Sequence, residues 1–127
     1  MRRLLDRIPY AQFLGVAVER SAGGIDCILP FRDEVIGNVR LPAIHGGAVG
    51  ALLEMTALVQ LIDDSEGERI PKPINFGIDY LRSAGAHELR ARAEVVKLGR
   101  RIANVRVQAW QEHPGKPVAI GNGKFLL

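Results

Sequence analysis

IGNVRLPAIHGGAVGALLEMTALVQLI, residues 36–62, is the stretch on which the fold turns. It opens with a polar entry, His45-Gly46-Gly47, and continues as a helix-length apolar run that carries one carboxylate, Glu54. From Ala48 to Ile62 the polar side chains are Glu54, Thr56 and Gln60, while Leu, Val, Ala and Met stand at every azimuth of a helix. A helix apolar all round is a buried one, so this segment is predicted to be the central helix of the domain.

A carboxylate inside such a helix is costly unless something compensates it. Glu54 therefore either pairs with an arginine elsewhere or does chemistry. His45 and Glu54 are nine residues apart, which at about 100° and 1.5 Å per residue puts them on opposite faces and about 13 Å apart along the axis. One copy of the helix cannot present both to one substrate atom. Two copies packed antiparallel across a two-fold axis can, each giving its N-terminal turn to one site and its Glu54 to the other.

Patterning around the helix supplies the rest of the architecture. Residues 2–12 read as a short amphipathic helix ended by Pro9, with Leu4, Leu5 and Ile8 at helical spacing. Residues 13–20 alternate as a strand, Ser-Ala-Gly-Gly at 21–24 is a turn, and residues 25–31 return as a second strand, which makes a hairpin. Residues 32–44 read as a loop, and residues 63–68 as an acidic surface loop. Period-2 strands follow: Phe76, Ile78 and Tyr80; Leu89, Ala91, Ala93 and Val95; Ala103, Val105, Val107 and Ala109. Residues 98–101 and 113–116 read as hairpin turns, and residues 118–127 as a closing strand. Small alanines on the inward face leave room for a helix. The pattern predicts an α+β domain over residues 1–127, a helix packed on an antiparallel sheet.

Composition narrows the function classes. Seventeen Lys and Arg against 14 Asp and Glu give a net charge of +3, with no basic run interleaved with aromatics of the kind that tracks nucleic acid. The apolar portions of the helix are interrupted by Glu54, Gln60 and Asp63, too soon to span a bilayer. The N-terminus lacks the apolar core of a signal peptide. The single cysteine, Cys27, reads as a buried inert thiol. A cytoplasmic protein that engages neither nucleic acid nor membrane is expected.

HGGAVGALLEMTA, residues 45–57, resembles the HGG-x6-[D/E] signature of the hotdog-fold acyl-CoA thioesterases, in the branch of the phenylacetate-degradation and 4-hydroxybenzoyl-CoA thioesterases. PINFGIDYLRSA (73–84), VVKLGRRIANVRVQAW (95–110) and PVAIGNGKFLL (117–127) are similar to the family's later strands, so the resemblance covers most of the chain from about Phe13 onward. It implies a hotdog fold, five to six antiparallel strands wrapped around one long helix, and a homodimer or a dimer of dimers with sites between subunits. It also implies hydrolysis of an aryl or medium-chain acyl-CoA, with coenzyme A entering as part of the substrate and no cofactor or metal.

The resemblance assigns roles by position. The Gly46 N–H becomes the oxyanion donor, since amides at a helix start are unsatisfied and backed by the positive end of the helix dipole. Gly47 keeps the approach open, and His45 takes a positioning role. Glu54 acts as general base on water or attacks to form a mixed anhydride. His87 and His113 sit in turns and are expected to be solvated. Basic side chains near Arg82, Lys97, Gly99, Arg100 and Arg101 are expected to meet the coenzyme A phosphates.

Two positions depart from the pattern. Relatives often carry an asparagine six residues before the histidine; here Val39 stands there, and Asn38 is the candidate substrate-binding asparagine. Where some relatives hold the attacking water with Ser or Thr, this chain has Pro73, leaving Asn75 or Thr56 as substitutes. The missing hydroxyl leaves open a binding protein that holds acyl-CoA without turnover. A hotdog hydratase or dehydratase is disfavoured by the HGG-to-acid spacing.

Overall fold

The computed structural model describes residues 5–65 and 70–127, and of Asn38 the backbone alone. Helix α1 (Pro9–Leu14) leads into strands β1 (Ala17–Ser21) and β2 (Gly24–Leu29). A 3-10 turn (Asp33–Val35) and two short strands, β3 (Ile36–Asn38) and β4 (Ala43–Ile44), precede the long helix α2 (Gly46–Ser65). Strands β5 (Lys72–Tyr80), β6 (Leu89–Leu98), β7 (Ile102–Trp110) and β8 (Pro117–Leu126) complete the chain. Six of the strands form one sheet in the order β1-β2-β6-β7-β8-β5, antiparallel throughout, with β3 and β4 as a separate ribbon.

The long helix packs chiefly on β6, β7 and β2. Ala91, Ala103, Ala109 and Ala119 are fully buried on the sheet face beneath it, which lets Leu52, Leu53, Val59 and Leu61 reach the strands. On β8 a glycine pair makes a hollow for one ring: a Cβ on Gly121 would lie 2.7 Å from the Phe76 ring. That ring meets Phe125 edge-on, with centroids 6.1 Å apart, an arrangement favoured by the aromatic quadrupole. This is the hotdog arrangement, one central helix in a six-stranded antiparallel sheet.

Several expectations need correction. Leu5 and Asp6 are helical and that helix stops before Pro9, as expected, but Pro9 also starts a second helix, because proline suits the first helical position, where its missing N–H costs nothing. Of the expected first helix, residues 2–4 lie outside the described residues. Phe13 and Leu14 then belong to α1 and not to a strand. The helix stops at Gly15, whose φ of +75° and N–H bonds to the Ala11 and Gln12 carbonyls are a glycine C-cap. The loop of residues 32–44 contains the β3–β4 ribbon.

The long helix runs three residues beyond Ile62, held by Gln60 Nε2 to Asp64 (2.8 Å), Ser65 Oγ to the Leu61 carbonyl (2.7 Å) and an Arg20–Asp63 ion pair (2.7 Å). Asp63 to Ser65 of the expected acidic loop are therefore helical, and its residues 66–68 lie outside the described residues. By length and mean hydropathy this helix could cross a membrane, contrary to the reading from its interruptions. Its apolar residues are instead spent on the sheet. Nor is it buried all round: Gly47 is exposed, and Ala51 and Glu54 are half-buried along its outward side, while half-buried Gly50 faces Ile78 and Tyr80 of β5.

Candidate active site

The tip of α2 is built by its N-terminal residues. The His45 carbonyl accepts the N–H groups of Ala48 (2.9 Å) and Val49 (3.1 Å), so His45 stands at the N-cap. Its ring turns back on the helix, with Nδ1 accepting the Gly47 N–H at 2.8 Å. That bond places the proton of a neutral imidazole on Nε2 and spends Nδ1 on the backbone. His45 is anchored in turn by its own N–H, which donates to the Val35 carbonyl at 2.7 Å.

Once these bonds are formed, one backbone donor remains. The Gly46 N–H has no partner among the described residues. Gly46 lines a cleft of about 370 Å³ whose walls include Ile44, Val49, Tyr80, Leu81 and Arg82. The walls are fixed by backbone bonds: Ile44 N–H to the Ala84 carbonyl (2.9 Å), and Leu81 N–H to the Val118 carbonyl (2.8 Å). An unpaired amide backed by a helix dipole, in a residue that lines a cleft, is suited to a carbonyl oxygen that gains negative charge.

Glu54 lies elsewhere. Eight residues beyond Gly46 it is about 12 Å further along the axis. It is half-buried, with no hydrogen-bond or ion-pair partner among the described residues. A single chain therefore does not bring together Gly46 and Glu54, as their spacing requires. The desolvation cost expected for Glu54 is not incurred by the chain alone, because the carboxylate faces the uncovered side of the helix.

The candidate water-holding residues are not beside it. Thr56 is fully buried, and its hydroxyl donates to the Leu52 carbonyl at 2.6 Å. Two residues on from Glu54 is roughly 200° around the helix, which points Thr56 at the sheet. There it lies against Cys27, whose thiol is pushed up to about 11 by burial, with the Thr56 hydrogen bond opposing. Asn75 projects from the sheet face away from the helix, where it lines a small groove with Asn104, Asn122 and Lys124. Thr56 and Asn75 thus do not share the Glu54 side in one chain. The side chain of Asn38 lies outside what is described; its backbone pairs with Ala43.

The expected phosphate-binding residues separate into two places. Lys97, Gly99, Arg100 and Arg101 come together with Asn104 and Lys124 around a groove of about 550 Å³ at the β6–β7 hairpin. Among the described residues no carboxylate side chain lines it. Arg82 instead lies at the other end of β8, its Nε bonded to the Pro117 carbonyl at 3.0 Å. The register, with Leu126 beside Ile102 and Lys72 but Ala119 beside Ala109 and Tyr80, sets the two ends roughly 25 Å apart at about 3.3 Å per residue.

Three residues of the site region were not singled out from the sequence. Lys124 was read as an ordinary strand residue, and only the β7–β8 register brings it to the basic groove. Gly37 lies under His45, where a Cβ would come 2.8 Å from His45 Cα. Tyr80 closes the inward series Phe76, Ile78, Tyr80, and its hydroxyl donates to the Gly46 carbonyl at 2.8 Å. A polar-tipped ring at the end of an apolar series was the one available signal.

The chain was compared with known proteins. Residues 41–118 match the family model described as Thioesterase superfamily. No curated protein matches. Among solved structures, a Chromobacterium violaceum protein is 34% identical with a TM-score of 0.80, the match covering 98% of this chain and 87% of that one. The phenylacetic acid degradation protein PaaI of Thermus thermophilus is 28% identical with a TM-score of 0.74, over 93% and 97% of the two chains. A Bacillus halodurans protein solved with CoA shares the fold at 24% identity and a TM-score of 0.79, over 93% and 78%. With most of its length matched in both sequence and structure, the chain belongs to the thioesterase superfamily.

Proposed function

We propose that the protein hydrolyses acyl-CoA thioesters as a two-fold dimer, each site combining the Gly46 N–H of one protomer with Glu54 of the other. The observation that supports this reading is the Gly46 N–H, unpartnered among the described residues in a residue that lines the cleft, while the neighbouring backbone donors at the helix tip are satisfied. The thioester oxygen takes that donor. Glu54 either accepts a proton from water as the water oxygen attacks the carbonyl carbon, or attacks that carbon itself to give an anhydride that water then opens. In both routes the C–S bond breaks, CoA leaves as its thiolate and is protonated, and the acid is released. After a single turnover in 18O-labelled water, label in Glu54 identifies the anhydride route with water opening the anhydride at the glutamyl carbonyl.

What one chain leaves uncovered supports the dimer. Strand β5 is a nine-residue sheet edge, and a long unpaired edge is a template for pairing with another chain. In an antiparallel helix pair, residue numbers facing one another sum to a constant. If 46 faces 54, the two-fold axis passes at residue 50, which is Gly50, with Ala51 beside it. The space over Gly50 is taken by Ile78 and the Tyr80 hydroxyl of the same chain, so the small side chain that would let two backbones approach there is Ala51. Pairing two β5 edges antiparallel also carries the Arg82 end of one protomer toward the hairpin end of its partner, where the basic groove accepts the CoA phosphates. The CoA seen in the Bacillus halodurans relative supports this substrate class.

No cofactor enters the scheme. A second reading, binding without turnover, is favoured by the burial of Thr56 and the outward side chain of Asn75, which leave neither candidate beside Glu54 in one chain to hold water. A panel of aryl- and alkyl-CoAs, followed by thiol release with a chromogenic disulfide, decides. Cys27 is buried and contributes little background. Turnover lost in Glu54→Ala with CoA binding retained supports hydrolysis. Tight binding without release by wild type refutes it in favour of the binding protein.

A further inference from the structure

We infer that Tyr80 is a positioning residue for the oxyanion donor, an inference that rests on the reading of Gly46 just given. Two consecutive glycines at a helix start form the least constrained stretch a backbone can have. The first helical turn also lacks the i to i−4 bonds that would hold it from the N-terminal side. A donor that must meet a developing oxyanion has to be fixed before the reaction, because reorganisation during the reaction raises the barrier.

Side chains and a neighbouring strand supply the restraint. Ahead of Gly46, the His45 N–H is tied to the Val35 carbonyl at 2.7 Å. Behind it, the Tyr80 hydroxyl donates to the Gly46 carbonyl at 2.8 Å, and the N–H of that same peptide donates to His45 Nδ1 at 2.8 Å. The Gly46–Gly47 peptide is thus held at both its polar ends, and the Gly46 N–H has its direction set from either side. A chain of bonds from hydroxyl through peptide to imidazole also polarises each member.

Tyr80 is itself well placed to act as a fixed post. It pairs with Ala119 in the sheet, and the next two N–H groups, Leu81 and Arg82, both donate to the Val118 carbonyl at 2.8 and 3.2 Å. Its ring packs over the helix tip: a Cβ on Gly46 would stand 3.5 Å from Cε1, and one on Gly50 would stand 3.4 Å from the hydroxyl. The ring is nevertheless 55% exposed, more than a purely core-filling residue would be.

The test is Tyr80→Phe, which removes the hydroxyl and keeps the ring. The first readout is steady-state turnover of the best acyl-CoA. The second is the carbonyl stretch of a 13C-labelled acyl-CoA bound to Glu54→Gln, with and without Tyr80→Phe. Loss of one positioning hydrogen bond is expected to lower kcat about tenfold with KM changed less than about twofold. The carbonyl band is expected to move back toward its frequency in water, with the unfolding midpoint nearly unchanged. Wild-type turnover matched by Tyr80→Phe, or a fall in kcat with no band shift, overturns the role of Tyr80 and leaves the thioesterase reading standing. If wild type releases no thiol from any acyl-CoA, the thioesterase reading fails and the role of Tyr80 fails with it.

Discussion

If Gly46 of one protomer works with Glu54 of the other, two inactive variants must rescue each other. Gly46→Pro removes the donor N–H at the first helical position, where proline is otherwise favoured. Glu54→Gln removes the base and preserves shape. Each homodimer then has two defective sites and is expected to lose about 10²- to 10³-fold in kcat, about 3 to 4 kcal/mol for an oxyanion donor. In the mixed dimer the geometry sorts the defects: one site receives both substitutions and the other receives neither. Random reassortment of equal amounts makes about half of the dimers mixed, each with one intact site of two, so about a quarter of wild-type activity returns. The assay is thiol release before and after subunits are exchanged through mild denaturant, with native mass spectrometry of isotope-labelled protomers to confirm that mixed dimers form. Confirmed exchange with activity still at the level of the parents refutes the shared site, because a site within one chain cannot be repaired by a partner. The arithmetic follows from a spacing of eight residues along one helix, about 12 Å, and owes nothing to the acyl group.

The basic groove at the β6–β7 hairpin is expected to act on binding alone. Arg100→Glu together with Lys124→Glu should raise KM for acyl-CoA about tenfold at low ionic strength with kcat unchanged, and the effect should shrink in about 0.5 M salt, checked by steady-state kinetics across a salt series. Gly37→Ala places a Cβ 2.8 Å from His45 Cα; since backbone cannot yield as a side-chain tip does, the variant should lose about 1 to 3 kcal/mol in denaturant unfolding and lower kcat by moving the helix tip. Cys27 gives a pH dependence with a definite sign. Its thiol rises from 9.0 to about 11 on burial in the folded chain, so its contribution is full below about pH 9 and is lost as pH rises through 11, about 2 to 3 kcal/mol in all. Wild type should therefore lose more stability than Cys27→Ala between pH 8 and 11 in parallel unfolding titrations, while the folded thiol stays slow toward a disulfide reagent at pH 8.

Much of the fold could be read from periodicity because the physical cause of that periodicity is local. Alternation at 76–80, 89–95 and 103–109 reflects strands with one face on a core, and an apolar run of fifteen residues with three polar side chains reflects a helix enclosed by them. The errors arose where a local signal had two meanings. Pro9 both ends and begins helices, and Leu14, Val16 and Val18 alternate although the first of them is the last residue of a helix. The separation of His45 and Glu54 by half a turn was likewise legible, since it depends on helix geometry alone.

What the sequence by itself determined is therefore most of the elements, their buried faces, and the helix whose glycine-rich tip and acidic side chain lie too far apart for one copy to join them. Only the tertiary structure decided which donors at that tip are already spent, because hydrogen bonds from Tyr80 to Gly46 and from His45 to Val35 join residues that are distant in sequence or turned back by a loop. It also moved Thr56 into the core and Asn75 to the outer face, and it divided the expected phosphate-binding residues between two ends of the sheet. Strand register settles where Asn75 and the basic residues lie, whereas Thr56 follows from its azimuth on the helix. Spacing along the chain cannot supply register, because a shift of one residue in pairing sends every side chain of a strand to the opposite face.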